Sequence, residues 1–339
     1  HKANATAPSV ELGINVVATQ YTYEKDSKDD QYDEDATYLA PGEPVETEAD
    51  LIKVIENGGE VSITKDIALS STVQIAGDTV IHGNGKTITL NSESITNGAL
   101  FDGNGHDLTI ENLILDGQNG SIGHYFGVVN GGTDSTLTLS NVTIRNFKTE
   151  RILRAHGVKN VSLTNVTISG NMAKDYGVLF TNVENMTLKK VSLTDNTVVS
   201  QNSKGESVGT LLMMWGNSAV NKLVAENITI ENNTVGEHLI ATSGTNCNDA
   251  IELTSGSIKG NSEGKGIYMV GSLMVGTEMS VQCPIVLNND GNKGVCTLTN
   301  NGTIVGDISS ADWAVNSRGK PIYTGTGTHT GTKTNLKVQ

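Results

Sequence analysis

The chain has 339 residues and a formal net charge of −14, with 37 acidic and 23 basic residues. A surface this acidic repels phosphate backbones, so the charge argues against a nucleic-acid partner. With 38 glycines, 5 prolines and only 4% aromatic residues, the composition favours many short strands and tight turns over long helices. No apolar run reaches the roughly 18 residues that a membrane span requires, so membrane insertion is not predicted.

Residues 1–46 differ in character from the rest of the chain. The segment 24–35 (EKDSKDDQYDED) is strongly acidic and has no apolar period, which is typical of a solvated linker. Residues 9–20 are apolar enough to add a strand to the neighbouring body. No signal peptide stands before His1, so we expect that a secretion signal has been removed. We treat 1–46 as an N-terminal extension that contains an acidic linker.

A short helix is predicted over residues 48–57. Leu51, Val54 and Ile55 recur at helical spacing. They follow Thr47, which forms an incomplete capping box with Asp50. Because the open end of a solenoid needs a cover, we expect this helix to cap the first coil.

One apolar pattern then recurs at intervals of roughly 25–30 residues, as in a solenoid repeat. Each copy has a short strand, a polar residue that is often Asn, and a second short strand. The first copy is LTIENLIL over residues 108–115. Copies begin at Leu108, Leu137, Val161, Met186, Leu223, Ile251 and Met279.

The pattern predicts how one coil is built. Alternation of apolar and polar residues directs side chains inward and outward in turn, and its restart after the central residue requires a sharp bend. Asn tolerates the left-handed backbone that such a bend uses. We therefore expect Asn112, Asn141 and Asn165 to form a hydrogen-bonded ladder along the axis. Lys190 interrupts this ladder and Asn227 rejoins it.

A third strand fits between successive copies, as in Gly177–Phe180 (GVLF). The predicted fold is therefore all-β: a single-stranded right-handed parallel β-helix over residues 47–310, with three short strands in each coil and about seven to nine coils. The repeat fades after Asp312. Residues 311–339, which include a Gly/Thr-rich stretch at 323–334, are predicted to be a C-terminal edge or a linker.

The segment 78–89 (DTVIHGNGKTIT) resembles the opening coil of pectate-lyase-like right-handed β-helix proteins, and so does the repeated strand–Asn–strand pattern. The resemblance covers roughly residues 60–305. It implies the fold but not the activity, because this superfamily includes polysaccharide lyases, hydrolases, adhesins, autotransporter passengers and phage tailspikes. The Gly-His-Gly and Arg-Ile-Lys segments of the hydrolases are absent, as are the Trp-Ile-Asp-His and Arg-x-Pro-x-x-Arg segments of the lyases.

The resemblance also implies where a ligand would bind, because the groove of the related enzymes follows the outer face of the third strand set. The corresponding positions are Asp102, Asn130, Arg154, His156, Phe180, Asn182, Met214, Trp215 and Thr242. From this surface and the coil beside it we predict the ligand-binding residues Asn130, Arg151, Arg154, His156, Asn182 and Trp215. No catalytic residue and no metal site is assigned.

The coil 145–159 is the most unusual part of the sequence, because it holds three of the four arginines of an acidic chain. Its basic residues are Arg145, Lys148, Arg151, Arg154, His156 and Lys159. Arg suits carboxylate and sulfate groups, with which it forms paired hydrogen bonds. Three interpretations remain open: a solvated face that offsets acids such as Asp116, Asp134 and Glu150, an acidic-glycan surface, or a catalytic site in which a cation neutralises a sugar carboxylate.

Four further features of the sequence carry expectations of their own. Trp215 follows the insertion 195–208 and would either stack on a sugar ring or pack under its own loop. His124 and His238 are expected to be ordinary outward-facing side chains.

The odd set of cysteines fits buried small side chains, or a disulfide between Cys283 and Cys296 with Cys247 left over. The apolar residues Phe101, Phe180, Leu212 and Ile240 would form a self-association strip or lie under loops.

The leading hypothesis is a non-catalytic module of a secreted or cell-surface bacterial protein, either adhesin-like or glycan-binding. Its partner would be a polysaccharide or a host or cell-surface glycan, its location extracellular, and further domains are expected in a longer protein. No cofactor is predicted. The alternative is a polysaccharide lyase that acts on an acidic glycan, for which calcium would be the candidate cofactor.

Overall fold

The computed structural model describes residues 42–91, 94–96, 98–123, 127–216, 221–243, 249–261, 264–289 and 294–339. These residues form an all-β parallel β-helix of about ten coils with a short helix, consistent with the predicted right-handed coil. The fold predicted from the sequence is confirmed. The proposed strand at 9–20, the acidic linker at 24–35, His124 and Cys247 lie outside the described residues.

Within the described residues there are two helices, α1 (Glu48–Ile55) and α2 (Asp312–Arg318). The first strands are β1 (Glu43–Val45), β2 (Gly59–Ile63), β3 (Ile67–Leu69), β4 (Val73–Gln74), β5 (Thr79–His82), β6 (Thr87–Leu90), β7 (Ser94–Ile95), β8 (Phe101–Asp102), β9 (Leu108–Asp116), β10 (Ser121–Ile122), β11 (Val129–Gly131) and β12 (Thr136–Arg145). The middle strands are β13 (Lys148–His156), β14 (Asn160–Ser169), β15 (Met172–Thr181), β16 (Asn185–Thr194), β17 (Thr197–Val198), β18 (Ser200–Gln201), β19 (Ser207–Val208), β20 (Thr210–Trp215), β21 (Lys222–Glu226), β22 (Ile228–Glu231), β23 (Thr234–Val235) and β24 (His238–Thr242). The last strands are β25 (Asp249–Lys259), β26 (Ile267–Met269), β27 (Gly271–Gln282), β28 (Ile285–Leu287), β29 (Thr297–Asn300), β30 (Thr303–Val305), β31 (Ile308–Ser309), β32 (Ile322–Thr324), β33 (Thr328–Thr330), β34 (Lys333–Thr334) and β35 (Lys337–Val338).

Each coil stacks on the next with matched positions above one another. Leu137 of β12 pairs with Val161 of β14, which pairs with Met186 of β16. All three side chains are buried. Because the side-chain period of a strand is two, this register keeps the apolar columns of the long bent strands inside the solenoid, where each buried Leu, Ile or Val contributes about 1.5–3 kcal/mol.

The strands fall into two main sheets. An 18-stranded sheet contains both arms of the bent strands such as β9, β12, β14 and β16. A 15-stranded sheet has the path β4-β8-β11-β13-β15-β20-β24-β26-β28-β31-β34. The pairings between coils in both sheets are parallel, whereas the insertion before Trp215 forms a small antiparallel hairpin of β18 and β19. The outer face of β13, β15 and β20 carries the site described below.

The residues at the bend of the long strands adopt the left-handed conformation. Asn112, Asn141, Asn165 and Asn227 have φ angles of 51°, 55°, 53° and 55°, and Lys190 has 55°. Asn141 Nδ2 donates to Asn112 Oδ1 at 2.9 Å, and Asn165 Nδ2 donates to Asn141 Oδ1 at 2.7 Å. Asn227 instead accepts a hydrogen bond from the Ser255 hydroxyl at 3.3 Å, so its bond is to a different residue type.

A second asparagine ladder is buried at the turn that follows the second arm of each coil. Asn171 Nδ2 donates to Asn196 Oδ1 at 3.0 Å, and Asn196 Nδ2 donates to Asn233 Oδ1 at 3.1 Å. The same amides bond to backbone, as when Asn196 Nδ2 donates to Ile168 O at 2.8 Å. This ladder was not predicted, although its asparagines stand at one fixed position after the repeat. It satisfies backbone groups that the turn would leave buried and unpaired.

The ends of the solenoid are built differently. At the first coil, Leu51 and Ile55 of α1 are buried and the Thr47 side chain accepts from Asp50 N, as the capping prediction requires. The helix ends at Ile55, because residues 59–63 already form β2. At the other end, β32 pairs with β29 and β35 pairs with β32. The Gly/Thr-rich stretch is therefore paired strand, and these outer coils raise the number above the seven to nine expected.

The predicted outward apolar strip is wrong. Phe101, Phe180, Leu212 and Ile240 are at most 1% exposed and lie in the core. The residues of the third strands that were expected to face outward face the core instead. In β15, Val178 and Phe180 point inward and Leu179 points outward, and the same register makes Met213 and Ala241 outward. Leu179, Met213 and Ala241 form a separate small cluster with Tyr176 and Tyr268.

Cys283 and Cys296, the two cysteines within the described residues, are both buried, and no disulfide joins them to each other. Burial raises the pKa of the Cys283 thiol to about 12, with a backbone hydrogen bond at Ile267 opposing the rise. The thiol is therefore protonated and packs as a small apolar side chain. Among the described residues, neither helix is long and apolar enough to cross a bilayer.

Asn196→Ala is expected to lower the free energy of unfolding by at least about 2 kcal/mol, measured by urea denaturation. The change leaves the Asn171 backbone N–H and the Ile168 carbonyl without their partner, and each buried unsatisfied group costs about 1–3 kcal/mol.

The matched control is Asn141→Gly in the exposed ladder. Gly suits the positive φ at that bend, and the lost side-chain bonds are replaced by water. A loss of about 1 kcal/mol or less is expected. Equal losses in the two variants would contradict the distinction between a buried and an exposed ladder.

Candidate functional site

A cleft of about 330 Å³ lies on the outer face of β13, β15 and β20. It is lined by Arg151, Arg154, His156, Leu179, Thr181, Asn182 and Trp215. Five of these were predicted as ligand-binding residues from the sequence, and the structure brings them together. The sixth predicted residue, Asn130 of β11, pairs with Arg154 from the preceding coil and is not part of the lining. Leu179 and Thr181 were not predicted.

The register of the coils explains why these residues meet. Arg154 pairs with Leu179, His156 pairs with Thr181, and Thr181 pairs with Trp215. Neighbouring parallel strands lie about 4.8 Å apart, so residues from three successive coils share one short surface. Asn182 follows β15 with a φ of 52°, and its backbone N–H donates to Trp215 O at 2.9 Å.

Arg154 is oriented by a buried pair of polar residues. Its Nη1 donates to Asn130 Oδ1 at 2.8 Å, and Asn130 Nδ2 donates to Asp102 Oδ1 at 2.7 Å. Asn130 and Asp102 are only 4% and 7% exposed. The carboxylate of Asp102 therefore holds the amide, and the amide fixes the guanidinium at the cleft.

Arg151 contacts an acidic residue and an aromatic ring at the same time. Its Nη2 lies 3.6 Å from Asp175 Oδ2, and its guanidinium carbon lies 5.7 Å from the centre of the Tyr176 ring. Burial and the Asp175 carboxylate raise the pKa of Tyr176, against the opposing effect of Arg151. Tyr176 is therefore a neutral phenol at physiological pH.

His156 is neutral near pH 7. Burial lowers the pKa of its imidazole below the ordinary value of 6.5, and the positive charge of Arg154 lowers it further. The charge of the cleft consequently comes from the arginines, while His156 offers a neutral ring with one donor and one acceptor nitrogen.

Trp215 keeps 44% of its surface exposed, so the described residues do not enclose its ring. The insertion 195–208 therefore does not cover the ring, and it gives no support to the interpretation in which Trp215 packs under its own loop. An exposed indole at the rim of a polar cleft offers a flat apolar face to a ligand.

The rest of the basic coil does not contribute to the cleft. Arg145 Nε lies 2.7 Å from Asp116 Oδ2. Burial alone would raise the pKa of Asp116, but hydrogen bonds from Gln118, Asn146 and Arg145 outweigh it and lower the pKa. Arg145 therefore offsets an acid, as one of the sequence interpretations held. Lys148 and Lys159 are exposed elsewhere on the coil.

Several positions of the implied groove are not surface residues. Phe180, Met214 and Thr242 are at most 1% exposed and point into the solenoid, because they share the inward parity of Ala155 in the same register. Asp102 pairs with Asn130 from the preceding coil and is only 7% exposed. His238 stacks on Tyr268 with a centroid distance of 5.0 Å, and burial together with Lys265 lowers its pKa to about 4, so it is not freely outward-facing.

The lining of the cleft favours an anion over a metal cation. None of its seven residues carries a carboxylate, the ligand that calcium prefers. Within the described parts of the chain, no three His, Cys, Asp or Glu residues group together as metal ligands would. The donors on offer are guanidinium, amide and hydroxyl groups, which suit oxygen atoms of an anionic ligand.

Comparisons with protein-family models, with curated proteins and with solved structures found no match to this chain. The cleft is therefore interpreted from its own residues.

The His156 imidazole is expected to titrate below pH 6.5, and Arg154→Met is expected to move its pKa upward but not fully to the ordinary value. Removal of the neighbouring charge favours the imidazolium, whereas burial, the larger cause, remains. The measurement is an NMR titration of the His156 ring, assigned with His156→Gln. A wild-type pKa at or above 6.5 would contradict the described electrostatics.

Proposed function

We propose that the cleft binds an anionic glycan, with its carboxylate or sulfate group on Arg151 and Arg154 and a sugar ring against Trp215. The observation that carries the proposal is the composition of the lining. Two arginines, a histidine and an exposed tryptophan meet there, and the acidic residue that contacts Arg151, Asp175, is not part of the lining. The chain as a whole has a net charge of −14.

The net negative charge does not prevent such binding. At physiological ionic strength the Debye length is about 8 Å, so exposed acidic residues beyond that distance are largely screened. The arginines contact the ligand directly, and a hydrogen bond to a charged group contributes about 1.5–3 kcal/mol. Local contacts therefore outweigh the long-range repulsion, and binding is expected to weaken as salt is added.

Arg154 is suited to recognise a planar anion because Asn130 and Asp102 already hold it in place. A guanidinium fixed before binding loses less conformational entropy when the ligand arrives. Trp215 adds apolar area at the rim, where large aromatic residues often dominate binding energies.

The wider context is also a proposal. A non-catalytic module of a secreted or cell-surface bacterial protein, adhesin-like and in contact with a polysaccharide or host glycan, accords with the pectate-lyase-like resemblance of residues 60–305. It also accords with the long parallel β-helix, which presents the cleft on one side of a rigid scaffold.

Binding is measured by Trp215 fluorescence in a Trp313→Phe background, since the chain has only two tryptophans. The probes are oligogalacturonate, a chondroitin sulfate oligosaccharide and a neutral cello-oligosaccharide of similar length. Either anionic oligosaccharide is expected to change the fluorescence and the neutral one to have little effect. Arg154→Met is expected to weaken binding at least about tenfold, because about 1.4 kcal/mol corresponds to that factor.

The matched control is Arg145→Met, which removes an arginine of the same coil that pairs with Asp116 outside the cleft. It is expected to bind like the parent protein. Equal binding of neutral and anionic oligosaccharides, or equal losses in the two arginine variants, would contradict the proposal.

A lyase is the second candidate function, favoured by the neutral imidazole of His156 beside the Arg154 charge. In this reaction Arg154 neutralises the sugar carboxylate, and His156 removes the proton from the ring carbon beside it. The electron pair of that C–H bond forms a ring double bond as the bond to the glycosidic oxygen breaks, and the leaving oxygen takes a proton from the His156 imidazolium or from water. Incubation with polyuronates, with and without calcium, is monitored by the ultraviolet absorbance of the unsaturated product. Product formation that His156→Gln abolishes would establish the lyase, and its absence would leave binding alone.

A further inference from the structure

Asn221 and Asp249 form a buried polar pair between two successive coils, away from the lining of the cleft. Asn221 precedes β21 and Asp249 begins β25, and each side chain belongs to a residue only 2% exposed. Asn221 Nδ2 donates to Asp249 Oδ1 at 2.7 Å. The remaining oxygens, Asn221 Oδ1 and Asp249 Oδ2, are inaccessible to solvent and have no hydrogen-bond partner among the residues that the structure describes.

Two buried oxygen acceptors without a donor are costly, because burial removes them from bulk water and no hydrogen bond compensates for that loss. An ionised carboxylate has no hydrogen to offer. When Asp249 is protonated on Oδ2, the resulting hydroxyl supplies the donor that Asn221 Oδ1 lacks. The amide and the carboxylic acid then satisfy one another with two hydrogen bonds.

The Asn130–Asp102 pair has the same two residue types as Asn221–Asp249, and the comparison shows which hydrogen bond Asn221 lacks. There too an Asn Nδ2 donates to an Asp Oδ1 at 2.7 Å inside the protein. In that pair, however, Asn130 Oδ1 accepts a hydrogen bond from Arg154. At Asn221 no cation from the described parts of the chain takes this place, so a proton is the smallest group that supplies the donor.

The charged groups on the neighbouring strands do not stabilise the ionised form. Lys222 and Glu226 on β21, Glu231 on β22 and Glu278 on β27 lie at exposed or partly exposed positions. Lys222 Nζ pairs with Glu252 at 2.8 Å, and Lys259 pairs with Glu231 at 2.9 Å. The next residues in the same column are Gly271 and Cys296, whose backbone N–H and thiol are bonded to each other.

We propose that Asn221 and Asp249 act as a proton-dependent clasp, which joins two successive coils more tightly when the Asp249 carboxyl is protonated. In agreement with this geometry, burial raises the pKa of Asp249 to about 6, although the hydrogen bond from Asn221 opposes the rise. The clasp therefore responds to mild acidification.

The direction of the effect follows from proton linkage. The folded-state pKa of about 6 lies above the ordinary value of 3.8, so between these values the folded chain binds more protons than the unfolded chain. The contribution of Asp249 to the free energy of unfolding consequently falls as the pH rises from about 4 through 6, and it does not change further above that range.

The Asn221 amide of the clasp also lies against Gly216, the residue that follows Trp215. A side chain on Gly216 would place its Cβ 2.2 Å from Asn221 Nδ2, so this amide packs directly against the backbone next to Trp215. Only glycine leaves the amide room at that point.

The test compares the wild-type chain with Asp249→Asn, whose side-chain amide supplies the missing donor at every pH. The thermal unfolding temperature is measured from about pH 7.5 to about pH 5. Asp249→Asn is expected to be more stable than wild type near pH 7.5, and the difference is expected to shrink as the pH falls through 6. Subtracting the two curves of unfolding temperature against pH removes the contributions of the other titrating groups, which both proteins share.

Asp102→Asn is the matched control, because Arg154 already satisfies the asparagine oxygen of that pair, so no stabilisation is expected. A carbon NMR titration of the wild-type carboxyl gives a second readout that does not depend on any variant folding. The proposal is overturned if Asp249 titrates near its ordinary value, or if Asp249→Asn is no more stable than wild type near pH 7.5.

Discussion

The whole molecule depends on the parallel, in-register stacking of one coil on the next. Because equivalent residues lie directly above one another, one apolar residue repeated at a fixed position becomes a continuous core column, as for Leu137, Val161 and Met186. The same constraint applies to polar residues. The exposed ladder of Asn141 and Asn165 and the buried ladder of Asn171, Asn196 and Asn233 both exist because each amide meets its counterpart in the next coil.

The stacking also accounts for the cleft. Arg154, Leu179 and Met213 occupy one outward column, and His156, Thr181 and Trp215 occupy the next. A departure from the repeat in three neighbouring coils is therefore enough to create a local surface of distinct chemistry. The rigid sheet beneath it and the buried Asn130–Asp102 pair hold the charged groups without a mobile element, which is the arrangement expected of a preformed binding site.

Much of the fold was readable from the sequence because the repeat is a periodic signal. The bend residues and a helix at 48–57, which the structure ends at Ile55, followed from residue type and spacing. The grouping of Arg151, Arg154 and Trp215 followed from the groove that the resemblance implied and from the basic coil beside it. The parity of the third strands did not, because short apolar runs such as Gly177–Phe180 fit either face equally well. The Asn221–Asp249 pair was missed for a different reason: its properties come from burial and from an absent partner, which spacing does not reveal.

The most direct test of the account is an NMR measurement of side-chain Nε–H resonances of arginine and tryptophan during addition of oligogalacturonate or a chondroitin sulfate oligosaccharide. The account predicts that the signals of Arg151, Arg154 and Trp215 shift together, while those of Arg145, Arg318 and Trp313 stay in place. Shifts confined to the second group, or no shift at any concentration of either oligosaccharide, would contradict the assignment of the cleft as an anionic-glycan site.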